Sequence, residues 1–187
     1  MRLDRIDKQI LKALFLNGRE SLTNLEKEIF KTDSETMSHT GIAKRMQKLE
    51  DSEILKIQAN SNINALHYKA MFLLMEMSNY EEVQNIINSY KECPRVFMLA
   101  QVTGQYNIIL GVIGQTTDVL HRYLNYCGPT NKNGILHSAS IYVSDLALPK
   151  YLPINLFSND SHEGNCKNIC KNCAAYLDDL CRGCGNF

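Results

Sequence analysis

"LHYKAMFLLMEM" at residues 66–77 is followed by "NYEEVQNIINSYKEC" at 79–93, "RVFMLAQVTG" at 95–104 and "YNIILGVIG" at 106–114. The first, third and fourth segments are short apolar runs bounded by turn residues, the mark of strands. The second carries Val83, Ile86, Ile87 and Tyr90 at helical spacing. Gly104 and Gln105 make the turn between the last two runs. "YNIILGVIG" is almost wholly apolar, as a central strand should be. Further on, "TTDVLHRYLNY" (116–126) has Val119, Leu120, Tyr123 and Leu124 on one helical side. "CGPTNKNG" is a loop, and "ILHSASIYVSDL" (135–146) is a last strand. The order β-α-β-β-α-β predicts a ferredoxin-like domain: four antiparallel strands with two helices on one face. Such a domain leaves one apolar sheet face uncovered by its own helices, which predicts a dimer interface.

Upstream, three helical patterns fill residues 3–51. "LDRIDKQILKALFLNG" places Leu3, Ile6, Ile10, Leu11 and Leu14 on one face and ends at Asn17-Gly18. "SLTNLEKEIF" starts at a Ser21 cap and aligns Leu22, Leu25 and Ile29. "SHTGIAKRMQKLED" starts at a Ser38 cap and buries Ile42, Met46 and Leu49. Its Lys44, Arg45 and Lys48 point away from that stripe, with no acidic residue between Ser38 and Leu49. Three short helices, the last one basic, suggest a helix-turn-helix. "ILKIQANSNINAL" then reads as a strand and connector, completing a winged head. The expected organisation is an α+β chain with a head over 1–58, the βαββαβ domain over 59–150, a linker over 151–165 and a tail over 166–187.

The tail is "CKNICKNCAAYLDDLCRGC", which holds five of the seven cysteines. Their spacing is Cys166-x3-Cys170-x2-Cys173-x7-Cys181-x2-Cys184. Two C-x2-C pairs can converge on one ion, and thiolate sulfur suits zinc or an iron–sulfur cluster. The first expectation is tetrahedral zinc held by Cys170, Cys173, Cys181 and Cys184, with Cys166 spare or a fifth candidate. His162, in the polar stretch "SNDSHEGN", reads as a solvated side chain. Metal binding would fold a segment too small to order itself. Cys93 and Cys127 lie outside the spacing and read as small, partly buried residues.

Bulk composition is that of a globular protein: 187 residues, 44% hydrophobic, 21% charged, formal net charge zero. No apolar run approaches the ~20 residues of a membrane span. "MRLDRIDKQI" has no apolar secretory core, so a reducing cytoplasm is expected, where clustered thiols read as metal or redox ligands. No P-loop, Rossmann glycine pattern or nucleophile–base arrangement points to an enzyme.

The whole order resembles the Lrp/AsnC family of prokaryotic transcription regulators over about residues 2–148. "LDRIDKQILKAL", "IAKRMQKLEDSEILK" and "VTGQYNIILGV" carry the resemblance. It implies double-stranded DNA as partner, a homodimer or higher homo-oligomer, and a roughly palindromic operator. The third helix would enter the major groove. Ser38, His39 and Thr40 would lie near base edges, and Lys44, Arg45 and Lys48 near phosphates or guanine edges. The resemblance also implies a small-molecule effector, such as an amino acid, near Gly104, Tyr106 and Asn107. Two departures stand out. "FKTDSETMSH" makes the turn before the third helix about six residues longer than the family's, and without Gly. Asn107 stands where many members carry Asp. Two rival functions follow: an interaction or ligand-binding module that has lost DNA binding, and an iron–sulfur redox-sensing regulator.

Overall fold

The computed structural model describes residues 2–30, 32, 35–154 and 173–179. The chain divides into two compact units, Met1–Ala59 and Asn60–Phe187.

The first unit is three helices around one small core. Helix α1 (Arg5–Leu16) is opened by a capping box. Asp4 accepts from the Asp7 backbone N–H at 2.9 Å, and the Asp7 carboxylate accepts from the Asp4 N–H at 3.1 Å. Helix α2 (Leu22–Glu28) is capped by Ser21, and α3 (His39–Asp51) by Ser38, the caps read from the sequence. Ile10, Leu14, Leu25, Ile29, Ile42 and Leu49 are buried together, and Met46 and Leu55 pack at their edge. These are the apolar faces that the helical spacing picked out.

The long turn between α2 and α3 closes on itself. Phe30 and Thr36 form an antiparallel bridge, and the Met37 N–H donates to the Ile29 carbonyl at 2.8 Å. The extra residues therefore form a small excursion whose two ends meet, and α3 starts at its expected cap. Lys31, Asp33 and Ser34 lie outside the described residues.

Residues 54–60 are not the expected wing strand. They are exposed apart from Leu55, and among the described residues no strand pairs with them. The Ile54 and Leu55 N–H groups donate to the Leu49 carbonyl at 2.9 and 3.1 Å, and Ser61, just beyond the segment, exchanges two 2.9 Å backbone bonds with Leu152.

The second unit has the predicted order: β1 (Lys69–Met77), α4 (Tyr80–Tyr90), β2 (Val96–Gln101), β3 (Ile108–Gly114), α5 (Thr117–Arg122) and β4 (Ile135–Val143). A π turn over Tyr123–Cys127 extends α5. The sheet runs β2-β3-β1-β4, every neighbour antiparallel. Alternation in β1 sends Met71, Leu73, Met75 and Met77 into a core with Ile108, Leu110 and Val112 of β3. Val83, Ile86 and Tyr90 of α4 and Leu120 of α5 close it. Cys93 is buried in this core and Cys127 packs at its edge. Helix α6 (Ala174–Leu177) is a single turn that follows Cys173.

The outer face of the sheet is divided. At one end Ile63, Leu152 and Ile154 pack on Ala70 and Ile113. At the other, Phe72, Leu74 and Ile109 are half-exposed and Met98 and Ile141 exposed. The expected linker from residue 151 is therefore corrected at its start. Leu152 is 2% exposed because the chain doubles back over the sheet and needs an apolar anchor there. Leu152→Ala should cost the second unit about 2–5 kcal/mol. Urea unfolding followed by circular dichroism measures it, and a shift below 1 kcal/mol would show that the return segment is only draped on the surface.

Candidate nucleic-acid interface and effector turn

Helix α3 presents two unlike faces because its apolar residues recur every three to four positions. Ile42 and Leu49 are fully buried. Opposite them, Thr40, Lys44, Gln47 and Lys48 are exposed along one stripe. Gln47, absent from the sequence reading, belongs to this stripe by its spacing of three from Lys44. Its Nε2 donates to Asp51 Oδ1 at 2.8 Å, which fixes its head toward the helix C-terminus.

Arg45 has a different occupation. Its Nη1 lies 2.6 Å from Asp4 Oδ2 and 2.7 Å from Asp7 Oδ1, tying α3 to the start of α1. The expectation that Arg45 shares the outward basic face is corrected. One step along the helix from Lys44 turns the side chain by about 100°, to the flank facing α1. The Asp7 side chain is only 9% exposed, so the tie lies partly out of water. Asp4 is held below the usual carboxylate range, first by the Asp7 backbone N–H and then by the Arg45 guanidinium, and Arg45 is raised in turn.

The start of α3 is also engaged. Ser38 Oγ accepts from the Gly41 N–H at 3.3 Å, so this hydroxyl acts as a cap. The His39 N–H donates to Glu26 Oε1 of α2 at 3.3 Å. The His39 ring and Thr40 are exposed. The exposed side chains along this side of the head are thus those of His39, Thr40, Lys44, Gln47 and Lys48, with Gln47 tied to Asp51.

In the second unit, Gly104 sits in the β2–β3 turn with φ +149°, a backbone region that favours glycine. Asn107 follows it and is fully engaged. Its Oδ1 accepts from the Met77 N–H at 2.8 Å and its Nδ2 donates to the Met77 carbonyl at 2.9 Å. Its own N–H donates to the Met75 carbonyl at 2.9 Å. The side-chain amide imitates a peptide group and prolongs the β1–β3 pairing by one residue. The β1–β4 register shifts at this same point, between Glu76 and Met77. Asp could accept the first bond but not donate the second, so the amide here has a structural reason. Tyr106 is half-buried and Gly104 exposed. A separate cleft of about 200 Å³ opens at the far end of the sheet, beside His67, Lys69 and Asp145.

Of the proposed metal ligands, Cys173 is half-buried at the start of α6. Cys166, Cys170, Cys181, Cys184 and His162 lie outside the described residues.

This architecture is that of the helix-turn-helix regulators that join a small helical head to a four-stranded sheet domain. E. coli AsnC shows the same fold, with TM-score 0.61 and 19% identity over 78% of this chain and 94% of that one. So does a feast or famine regulatory protein from M. tuberculosis complexed with L-methionine, with TM-score 0.61 and 20% identity over 86% and 97% of the two chains. In sequence, the HTH-type transcriptional regulator FL11 of Pyrococcus abyssi is 28% identical over 130 residues, 67% of this chain and 80% of that protein. A second HTH-type transcriptional regulator, from Methanocaldococcus jannaschii, is 26% identical over 123 residues, 65% and 79% of the two. No family model matches the chain. Both of these sequence relatives are named as transcriptional regulators. No helix among the described residues is long and apolar enough to cross a membrane.

Two substitutions test these roles. Arg45→Ala should destabilise the helical unit by on the order of 1–2 kcal/mol at neutral pH. Because Asp4 is lowered in the folded state, its contribution is complete above the ordinary carboxylate pKa and lost as pH falls through the lowered value. The wild-type advantage in Tm should therefore shrink below about pH 4, and an advantage unchanged in acid would remove the ion pairs as its source. Asn107→Asp should lower the stability of the sheet unit by about 1–3 kcal/mol by setting a carboxylate against the Met77 carbonyl. An unmoved urea midpoint would show that the amide pairing contributes nothing.

Proposed function

We propose that this chain is a DNA-binding transcription regulator of the Lrp/AsnC type. The observation that carries the reading is the outward stripe of α3. Thr40, Lys44, Gln47 and Lys48 stand exposed in a helix whose opposite face is locked into the core. Such a helix can enter a major groove without disturbing its own packing. Lys44 and Lys48 are the phosphate contacts. His39 and Thr40 would reach base edges, and Gln47 would do so once its amide leaves Asp51. Arg45 positions the helix from behind. The similarity to proteins named as HTH-type regulators supports the same reading.

A single head makes few contacts, so we take the functional unit to be a homodimer or higher homo-oligomer on a roughly palindromic site. Phe72, Leu74, Ile109, Met98 and Ile141, on the uncovered half of the sheet, are the surface proposed to join two copies. Two of the solved neighbours, one from M. tuberculosis and one from Neisseria meningitidis, are complexes with L-methionine. An amino-acid effector at the turn of Gly104, Tyr106 and Asn107 is proposed on that likeness. The Asn107 side chain would hold the turn in place, leaving ligand contacts to Tyr106 and the backbone.

For the tail, the proposal is a structural zinc site of Cys170, Cys173, Cys181 and Cys184. It rests on the two C-x2-C pairs and on the affinity of thiolates for zinc. An iron–sulfur cluster on four of the five thiols, Cys166 among the candidates, is the alternative.

Replacing Lys44 and Lys48 together with Ala should weaken binding to any duplex. It should also reduce the slope of log K against log salt by about 1.8, at about 0.9 per lost phosphate contact. An unchanged slope would place the DNA contact elsewhere. For the tail, anaerobically purified protein should contain about one zinc per chain and lose it when any one of the four cysteines becomes Ser, but not with Cys166→Ser. Iron with labile sulfide and visible absorption would establish the cluster instead.

A further inference from the structure

Strand β4 is an edge of the sheet. β1 pairs one side of it, and among the described residues no strand pairs the other. An open edge is a row of unpaired donors and acceptors, a template for another strand. Proteins blunt such edges with Lys, Pro, short length or a bulge. The opposite edge, β2, is six residues long and has a register shift between Val96 and Met98. β4 is nine residues long. Its irregularity lies at its start, opposite Glu76 and Met77, and His137–Val143 runs in regular register with Glu76–Ala70 of β1.

That regular run, "HSASIYV", contains no Lys, Arg, Asp, Glu, Pro or Gly. Ile141 is 51% and Tyr142 39% exposed. They project from opposite faces, since Ile141 pairs with outward-facing Phe72 and Tyr142 with core-facing Met71. On the helix side Ser138 and Ser140 are both exposed, while the Tyr142 ring stacks on His121 of α5 with centroids 5.3 Å apart.

We propose that β4 pairs antiparallel with β4 of a second copy of this chain, about a two-fold axis at Ser140. Centred there, the pairing uses all seven regular residues. Ser138 meets the second copy's Tyr142 on the helix side, and Ala139 meets its Ile141 on the outer side. Each pair sets a small side chain against a large one on the same face. Ser140 meets itself, and two hydroxyls can bond to each other. His137 meets Val143, and its ring already lies 2.8 Å from Glu76 of its own chain, so no like charges face each other. Shifting the axis to Ala139 would set the large His137 against Ile141 and carry Tyr142 onto the irregular start of the strand. The product is one continuous sheet built from two four-stranded halves. This contact uses the edge, whereas the proposed face-to-face contact uses the outer surface around Leu74. It extends the assembly and does not depend on DNA binding.

The full-length Ser140→Cys protein tests the pairing. Residues directly opposite in an antiparallel pair have Cα atoms about 4.5–5.5 Å apart, within the range a disulfide spans. Mild oxidation should give a covalent dimer in which peptide mapping joins the two residue-140 thiols. The link should survive in a second protein that also carries Leu74→Glu. Absence of that link, or its loss with Leu74→Glu, would overturn the edge pair. A link from the introduced thiol to a tail cysteine of the same chain would do so too, by showing that the chain's own tail covers the edge. Ser138→Lys with Ser140→Lys, both at exposed positions, should weaken self-association by at least about tenfold by setting four ammonium groups around the axis. Unchanged sedimentation of that variant, with unchanged circular dichroism, would equally sink the proposal.

Discussion

Strand β1 is paired along both edges, with β3 on one side and β4 on the other. That double pairing satisfies its backbone completely, so its alternating side chains decide everything around it. Met71, Leu73, Met75 and Met77 call for helices on one face, and α4 and α5 supply them. Phe72 and Leu74 call for cover on the other, which among the described residues is provided at the Ala70 end through Leu152 and Ile154. The half-covered outer face and the open edge of β4 are both consequences of where β1 sits. A four-stranded sheet with two helices has one face too many and two edges, and a partner copy is the economical way to deal with either.

The helical unit works on a smaller scale by a similar separation of tasks. A core of six buried side chains is modest, and the Arg45 contacts with Asp4 and Asp7 add a polar tie between its first and last helices. The same two carboxylates cap α1 and receive the guanidinium. One cluster therefore sets both where α1 begins and how α3 lies against it. The cost is a cation withdrawn from the outward stripe of α3, leaving Lys44 and Lys48 as its charges.

Asn107 shows how one side-chain amide can hold a turn between two strands. By pairing with both backbone groups of Met77 it fixes the start of β3 where β1 loses register with β4. A carboxylate could not make both bonds. A chain with Asn here gains a firmer turn and gives up a negative charge.

By itself the sequence determined the three amphipathic helices with their Ser21 and Ser38 caps and the β-α-β-β-α-β order. These are local properties: side-chain period and capping chemistry are written in residues a few positions apart. Tertiary structure alone decided the rest. Arg45 reads as one of three outward cations until α1, some forty residues earlier in the chain, brings two carboxylates to it. Residues 54–60 read as a strand, but among the described residues no strand pairs with them. Leu152 looks like the start of a linker until the chain returns to the sheet and bridges Ser61. In each case the deciding partner is distant in sequence, and a hydrogen bond, an ion pair or a buried contact exists only where the fold delivers both halves.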